Sequence, residues 1–106
     1  MPTASLSKSG YWFEDLGAKV RLCVPLEQYL DGAPFPTEGA SAKFTDLNCH
    51  LEVVLGGTRY VLDTGELANL IVPEESTCKL RPKTKRAMVE MAKLYASKAW
   101  RKLTAT

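Results

Sequence analysis

The chain has 106 residues, of which 45% are hydrophobic and 25% charged, a composition that excludes global disorder and fits one folded domain. A domain of this size has room for one hydrophobic core but little for a deep, separately walled active site. No apolar run approaches the roughly 18 residues of a membrane span, and residues 1–10 lack the apolar stretch of a secretory signal, so we expect a cytoplasmic protein that also has access to the nucleus.

Charge is divided unevenly along the chain. Residues 1–78 contain five basic and eleven acidic residues, whereas residues 79–106 contain nine basic residues and one acidic residue, Glu90. Such a split is typical of a surface that binds nucleic acid or an acidic partner, or of one solvated basic edge on an otherwise acidic fold. We favour the second interpretation, because clustered surface charges often belong to a solvated face.

The first half of the chain predicts a lead-in followed by extended strands. Residues 1–10 are small and polar, and we expect a flexible lead before the domain proper at residues 11–104. Residues 19–25 alternate between polar and apolar side chains, which predicts a strand with one aliphatic face. Several Pro and Gly residues between 27 and 39 predict a long loop, and residues 40–45 alternate again.

A hairpin is predicted next. Residues 49–55 carry an apolar side chain at every second position, and Gly56-Gly57 is a strong signal for a two-residue hairpin turn, because such turns need positive φ. Residues 59–64 then form the returning strand, and residues 77–81 predict another short strand. Short strands separated by turn signals favour an antiparallel sandwich over a parallel α/β fold.

The sequence between residues 85 and 103 allows two structures. Met88 and Met91 belong to a series of apolar residues at helical spacing, and Ala, Met, Lys and Glu all favour helix. The same stretch also allows a strand with Ala87, Val89 and Met91 on one face. Periodicity alone leaves both structures open.

No residue pattern in the sequence predicts an active site. His50 is the only histidine, and Cys49 beside it on the predicted strand would point to the opposite face, which argues against a thiol–imidazole pair. Asp63-Thr64-Gly65 matches the motif of aspartic proteases, but such an enzyme needs two carboxylates that share a proton, and the chain has one such motif. We therefore expect a protein that is not an enzyme and that uses neither a cofactor nor a metal.

Several short motifs, in their order and spacing, resemble those of CS domains. Residues 73–79, Pro-Glu-Glu-Ser-Thr-Cys-Lys, are similar to the connection that precedes the sixth strand in that family. A strand that ends in Lys93, followed by a Trp-x-x-Leu motif that begins at Trp100, is similar to the end of a CS domain, and Trp12 matches an early aromatic residue. The similarity covers roughly residues 10–104 and is greatest to the calcyclin-binding (Siah-interacting) branch of the family, followed by the Sgt-type co-chaperone branch.

The resemblance implies an all-β fold, a seven-stranded antiparallel β-sandwich. Residues 86–94 would be its final strand, and a short helical turn near the C-terminus would return Trp100 to the core. Members of the family are typically non-enzymatic interaction modules of co-chaperones or ubiquitin-pathway adaptors. The resemblance therefore implies that the partner is the ninety-kilodalton heat-shock chaperone or a ubiquitin-ligase component, and that the domain itself is monomeric.

The resemblance also implies where a partner binds. In Sgt-type domains the chaperone-facing surface uses aromatic residues on the first two strands and a Lys/Glu pair on the last strand. Phe13 and Arg86 keep the chemical type at the aligned positions, whereas Cys23 and Met88 depart from it. The predicted contact residues are Phe13, Arg86, Met88, Arg21 and Lys43.

A binding surface for nucleic acid or for a membrane is the alternative prediction. It would use the basic groups near the C-terminus, which are Lys83, Lys85, Arg86, Lys98, Arg101 and Lys102. Single-strand binding usually combines basic groups with exposed stacking aromatics, and this segment offers Tyr95 and Trp100. Because Trp buries a large area, we expect Trp100 to cap the core instead, which makes nucleic acid the weaker hypothesis.

Overall fold

A computed structural model describes residues 2–36 and 38–105, which contain eight strands and one short 3-10 helix at Glu27–Tyr29. The strands are β1 (Thr3–Ser5), β2 (Trp12–Asp15), β3 (Lys19–Pro25), β4 (Ala40–Thr45), β5 (Asn48–Leu55), β6 (Thr58–Asp63), β7 (Ile71–Arg81) and β8 (Arg86–Lys93). They form two four-stranded sheets. The first sheet has the order β1-β6-β5-β4 and the second the order β2-β3-β8-β7, which confirms the predicted all-β sandwich.

The predicted number of seven strands is wrong, because the residues that the structure describes form eight. The additional strand is β1, which lies in the segment that we assigned to the lead-in. It pairs in parallel with β6, with Thr3 opposite Arg59 and Ser5 opposite Val61, so the sandwich is not purely antiparallel. The Leu6 amide extends this pairing by donating to the Val61 carbonyl at 2.7 Å, and the Leu6 side chain is fully buried in the core.

The core lies between the two sheets and is built by strict alternation. Strand β5 buries every second residue from Cys49 to Leu55, and these side chains face the second sheet. In the second sheet β3 contributes its aliphatic face, and β8 contributes Ala87, Val89 and Met91 from directly opposite positions. All of these side chains are at most 2% exposed, so the interior supplies the hydrophobic driving force of the fold.

Residues 86–93 form a strand, and the helical alternative for this stretch is excluded. Strand β8 lies between β3 and β7, so both of its backbone edges are paired. After β8 the chain makes a hydrogen-bonded turn, in which the Lys98 amide donates to the Tyr95 carbonyl at 3.1 Å, rather than a helix. The turn returns Trp100 to the core, where its side chain is 5% exposed.

A buried ion pair fastens this C-terminal segment to the second sheet. Lys93 is in phase with the apolar side chains of β8, and its Nζ lies 2.6 Å from Asp15 Oδ1 with 2% of the side chain exposed. The same ammonium donates to the Lys98 carbonyl at 2.9 Å, while Asp15 Oδ2 accepts from the Trp100 amide at 2.8 Å. The two charges therefore link the end of β2, the end of β8 and the segment that carries Trp100.

The carboxylate of Asp15 makes stability depend on pH in the acid range. Its hydrogen bond with Lys93, together with the bonds from the Trp100 and Gly17 amides, lowers the pKa of Asp15 from 3.8 to about 2. Because the unfolded chain then binds this proton more readily than the folded chain, the stabilisation is complete above pH 3.8 and is lost as the pH falls towards 2.

We expect Asp15→Asn to be less stable than the wild type at pH 7, since it leaves Lys93 buried without a counter-charge. The difference should shrink as the pH is lowered from 4 towards 2, where the wild-type carboxyl becomes protonated. Thermal denaturation followed by circular dichroism across this range measures both effects. Asp31→Asn is the matched control, because Asp31 is exposed and forms no ion pair among the described residues. A constant difference between Asp15→Asn and wild type at all pH values would contradict the assignment.

Candidate functional site

The solvent side of the second sheet, called here the outer face, brings together the side chains that alternate with the core residues. Cross-strand neighbours in register share a face, so the pairing of the four strands defines its members. They are Trp12, Glu14, Lys19, Arg21, Cys23, Thr77, Lys79, Arg81, Arg86, Met88 and Glu90. Of the predicted contact residues, the structure places Arg86, Met88 and Arg21 on this face.

An aromatic residue that we did not predict as a contact, Trp12 on the edge strand β2, also belongs to this group. The Arg86 guanidinium stacks over the Trp12 ring at 4.8 Å from its centroid, a cation–π contact. Trp12, Cys23 and Met88 follow one another across β2, β3 and β8 in direct register. Trp12 remains 37% exposed, whereas Cys23 is only 1% exposed although it belongs to the outer face. The buried thiol of Cys23 is thus flanked on this face by two larger cross-strand neighbours, Trp12 and Met88.

Phe13 lies on the opposite side of the sheet from Arg86 and Met88. It pairs with Leu22, which is fully buried, and its half-buried ring packs against the core. The structure therefore does not bring Phe13 together with the other predicted contacts. Trp12, one residue earlier, occupies the place on the outer face that we had given to Phe13.

Arg21 is on the outer face, but its charge is already paired. Its Nη2 lies 3.0 Å from Glu90 Oε2, and Lys19 Nζ lies 3.2 Å from the other oxygen of the same carboxylate. These two cations lower the pKa of Glu90, Arg21 contributing most. This half of the outer face is consequently close to neutral and offers a partner little net charge.

Lys43 belongs to a different surface. It is exposed on β4, in the first sheet, and pairs in register with His50. The ring nitrogens of His50 lie 3.2 Å from Asp63 Oδ2 and 3.3 Å from Glu52 Oε1. Lys43 thus joins a polar face on the far side of the sandwich, away from Arg86 and Met88.

The basic residues of the alternative prediction separate into two groups. Lys83, Lys85 and Arg86 lie at the β7–β8 hairpin, whereas Lys98, Arg101 and Lys102 follow the other end of β8. An eight-residue strand separates the two groups by roughly 23 Å, at about 3.3 Å per residue. The six side chains therefore do not form one continuous surface.

A shallow depression of about 520 Å³ opens beside the hairpin at the edge of the outer face. It is lined by Arg81, Pro82, Lys83, Thr84, Arg86 and Met88. Lys85 points away from it towards Glu27, whose carboxylate is 3.6 Å from the Lys85 ammonium. The depression thus combines the thioether of Met88 with three cations and lies directly beside the Arg86–Trp12 stack.

The three cysteines are free, and burial raises the pKa of each thiol. The effect is largest for Cys49, whose pKa is raised to about 12, so this thiol stays protonated at neutral pH. Within residues 2–36 and 38–105, no cluster of three or more His, Cys, Asp or Glu side chains is arranged to bind a metal ion. In the same part of the chain no helix is long and apolar enough to cross a membrane.

Comparison with known proteins does not assign the chain to a family. No protein-family model matches the sequence, and no curated protein matches it at a significant level. The geometry of the outer face is therefore the main basis on which a function can be argued.

The alkylation rate of the Cys23 thiol tests whether the Trp12 side chain shields it from solvent. In the wild type we expect slow alkylation of Cys23 by iodoacetamide, because the thiol is buried and its pKa is raised. Trp12→Ala should accelerate labelling of Cys23 several-fold, as read at this site by peptide mass spectrometry. Lys43→Ala, on the first sheet, is the control and should leave the rate unchanged. Equal rates in Trp12→Ala and wild type would show that Trp12 does not cover the thiol.

Proposed function

We propose that this chain is a non-enzymatic protein–protein interaction module, a CS domain of a co-chaperone or ubiquitin-ligase adaptor, similar to calcyclin-binding protein. Its docking surface is the part of the outer face around Trp12, Arg86 and Met88. The observation that carries the proposal is the stacking of Arg86 on the exposed Trp12 ring, in a row that continues to Met88. Trp, Arg and Met are the residue types enriched at the centres of protein interfaces.

The geometry of this surface favours binding at a low entropic cost. Its side chains project from paired strands, and β3 and β8 are held by a continuous register from Lys19 to Pro25. Arg86 restrains the Trp12 ring before any partner arrives. A rigid aromatic anchor loses less side-chain freedom on binding than a flexible one, so such a surface needs few contacts to bind specifically.

The CS-domain part of the proposal is supported by the fold and by sequence motifs. A two-sheet sandwich, an aromatic residue on the first strand of the second sheet and a strand over residues 86–93 agree with what the resemblance implies, whereas the eighth strand, β1, is additional to it. Trp100 packs into the core, as the Trp-x-x-Leu motif of the family implies. The partner proposed on this basis is the ninety-kilodalton heat-shock chaperone or a ubiquitin-ligase component. The domain would bind it as a monomer, in the cytoplasm or the nucleus.

The nucleic-acid and membrane-surface alternative has less support. Its six basic residues lie at two ends of the second sheet, so a strand of nucleic acid would have to span a neutral stretch between them. Affinity for phosphates depends on several adjacent cations acting together. We therefore retain this alternative only as an outcome that the binding experiments can reveal.

Titration of the ¹⁵N-labelled domain with the ninety-kilodalton chaperone tests the proposal. We expect shifts or line broadening at Trp12, Arg86 and Met88, with Lys43 on the far sheet unaffected. Trp12→Ala should weaken binding by at least about 30-fold, the effect of losing an anchor worth about 2 kcal/mol. The spectrum of the unbound variant shows whether it remains folded.

Lys43→Ala is the matched control for this titration and should bind as the wild type does. The absence of shifts on the outer face at chaperone concentrations near 1 mM would remove the chaperone from the proposal. Ubiquitin-ligase components would then be titrated in the same way. Shifts confined to the face around Lys43 and His50 would contradict the docking surface itself.

A further inference from the structure

We infer that the depression beside the β7–β8 hairpin binds an acidic peptide segment that carries one bulky apolar side chain. The inference rests on the proposed docking function and specifies the chemistry of the partner. Carboxylates of the peptide would pair with Arg81, Lys83 and Arg86, while its apolar side chain would contact Met88 and the neighbouring Trp12.

The distribution of neutralised and free cations on the outer face points to an acidic occupant. Lys19 and Arg21 are paired with Glu90, and Lys85 is paired with Glu27. Among the described residues, by contrast, no carboxylate lies within 4.0 Å of the three cations that line the depression, Arg81, Lys83 and Arg86. On the outer face, the cations that line the depression therefore differ from Lys19 and Arg21 in having no carboxylate partner in the described part of the chain.

The guanidinium groups of Arg81 and Arg86 favour a carboxylate, which has two acceptor oxygens, over an anion with a single acceptor atom. A guanidinium can donate two parallel hydrogen bonds to one carboxylate, which adds both strength and directional selectivity. Arg81 and Arg86 are opposite one another in the β7–β8 register and both line the depression. Each arginine can therefore receive one carboxylate of the same extended peptide.

The depression also has an apolar part, so we expect a bound peptide to need an apolar side chain in addition to its carboxylates. The half-buried Met88 and the exposed Pro82 both line the depression. Met side chains adapt to differently shaped apolar groups and are common where a surface receives a peptide anchor. The volume of about 520 Å³ lies within the range of roughly 300–1,000 Å³ typical of small binding pockets, enough for one large side chain and adjacent backbone.

A nucleic acid fits this surface less well than an acidic peptide. Bases bind single-strand proteins by stacking on aromatic faces, and here one face of Trp12 already carries Arg86. The remaining basic group, at Lys98 to Lys102, lies beyond the far end of β8 and cannot extend the site. A short peptide needs only the hairpin end of the sheet.

Three fluorescein-labelled ten-residue peptides test the inference by fluorescence anisotropy and by ¹⁵N NMR. The first contains a single Leu between Asp and Glu residues, the second replaces every Asp and Glu by Asn and Gln, and the third replaces the Leu by Ala. We expect the first to bind and to shift Arg81, Lys83, Arg86 and Met88. The second and third should each bind at least about tenfold more weakly, since each lacks one of the two recognised features.

Charge reversal locates the site. The double variant Arg81→Glu, Lys83→Glu should abolish binding of the acidic peptide, because both residues are exposed and their replacement reverses the local charge. The matched control, Lys98→Glu, Arg101→Glu, makes the same change in net charge at the other end of the sheet and should retain wild-type affinity. Equal losses in the two double variants would show that only overall charge matters and would overturn the inference.

The remaining outcomes separate this inference from the proposed function. If the Asn/Gln peptide binds as tightly as the acidic one, or if no peptide shifts these residues at 1 mM, the occupant is not an acidic segment. Shifts on the outer face with the chaperone would still support the proposed function in that case. If a ten-nucleotide oligo(dT) binds more tightly than the acidic peptide and displaces it, the surface is a nucleic-acid site and the inference is wrong.

Discussion

The pairing of β3 with β8 is the constraint on which both the interior and the surface of this protein depend. Seven consecutive residue pairs, from Lys19 opposite Ala92 to Pro25 opposite Arg86, lie at the middle of the second sheet. This register directs the apolar side chains of both strands inward. It also places Cys23 beside Met88 and Arg21 beside Glu90 on the outside. Because side chains alternate with a period of two, a shift by one residue would bury the charged set and expose the core.

The fold could be predicted from the sequence wherever alternation was strict. Strands β3, β4 and β5 follow directly from period-two patterns, and the turn residues Gly56-Gly57 predict β6 as the returning strand of a hairpin. Strand β8 could not be derived this way, because its residues favour helix, and the two neighbouring strands decide its structure. Strand β7 begins at Ile71 rather than at residue 77, since an irregularity between Val72 and Thr77 accommodates the proline within an edge strand. Strand β1 has only three residues and no distinct pattern.

The candidate site was predicted in part. Arg86 and Met88 lie on β8, on the outer face. Strand β2 reads Trp-Phe-Glu-Asp, two apolar residues followed by two acidic ones. Apolar and polar residues do not alternate in this strand, so its sequence does not indicate whether Trp12 or Phe13 faces outward. In the structure, the ion pair between Asp15 and Lys93 fixes the orientation of β2, because the Asp15 carboxylate faces inward to contact the buried ammonium of Lys93. Phe13 then also faces inward, and Trp12 faces outward.

Strand β1 has a consequence for where this domain should be considered to start. It covers the edge of β6 over residues 59–61, where outward-pointing backbone groups would otherwise be unpaired next to the apolar stretch of Tyr60, Val61 and Leu62. An uncovered edge of this kind is a template for strand addition by a second molecule, and a very short terminal strand is one of the ways in which proteins prevent it. A shortened chain starting at residue 11, where the recognisable motifs begin, would also lack Leu6 in its core. Self-association through β6 is the expected fate of such a fragment.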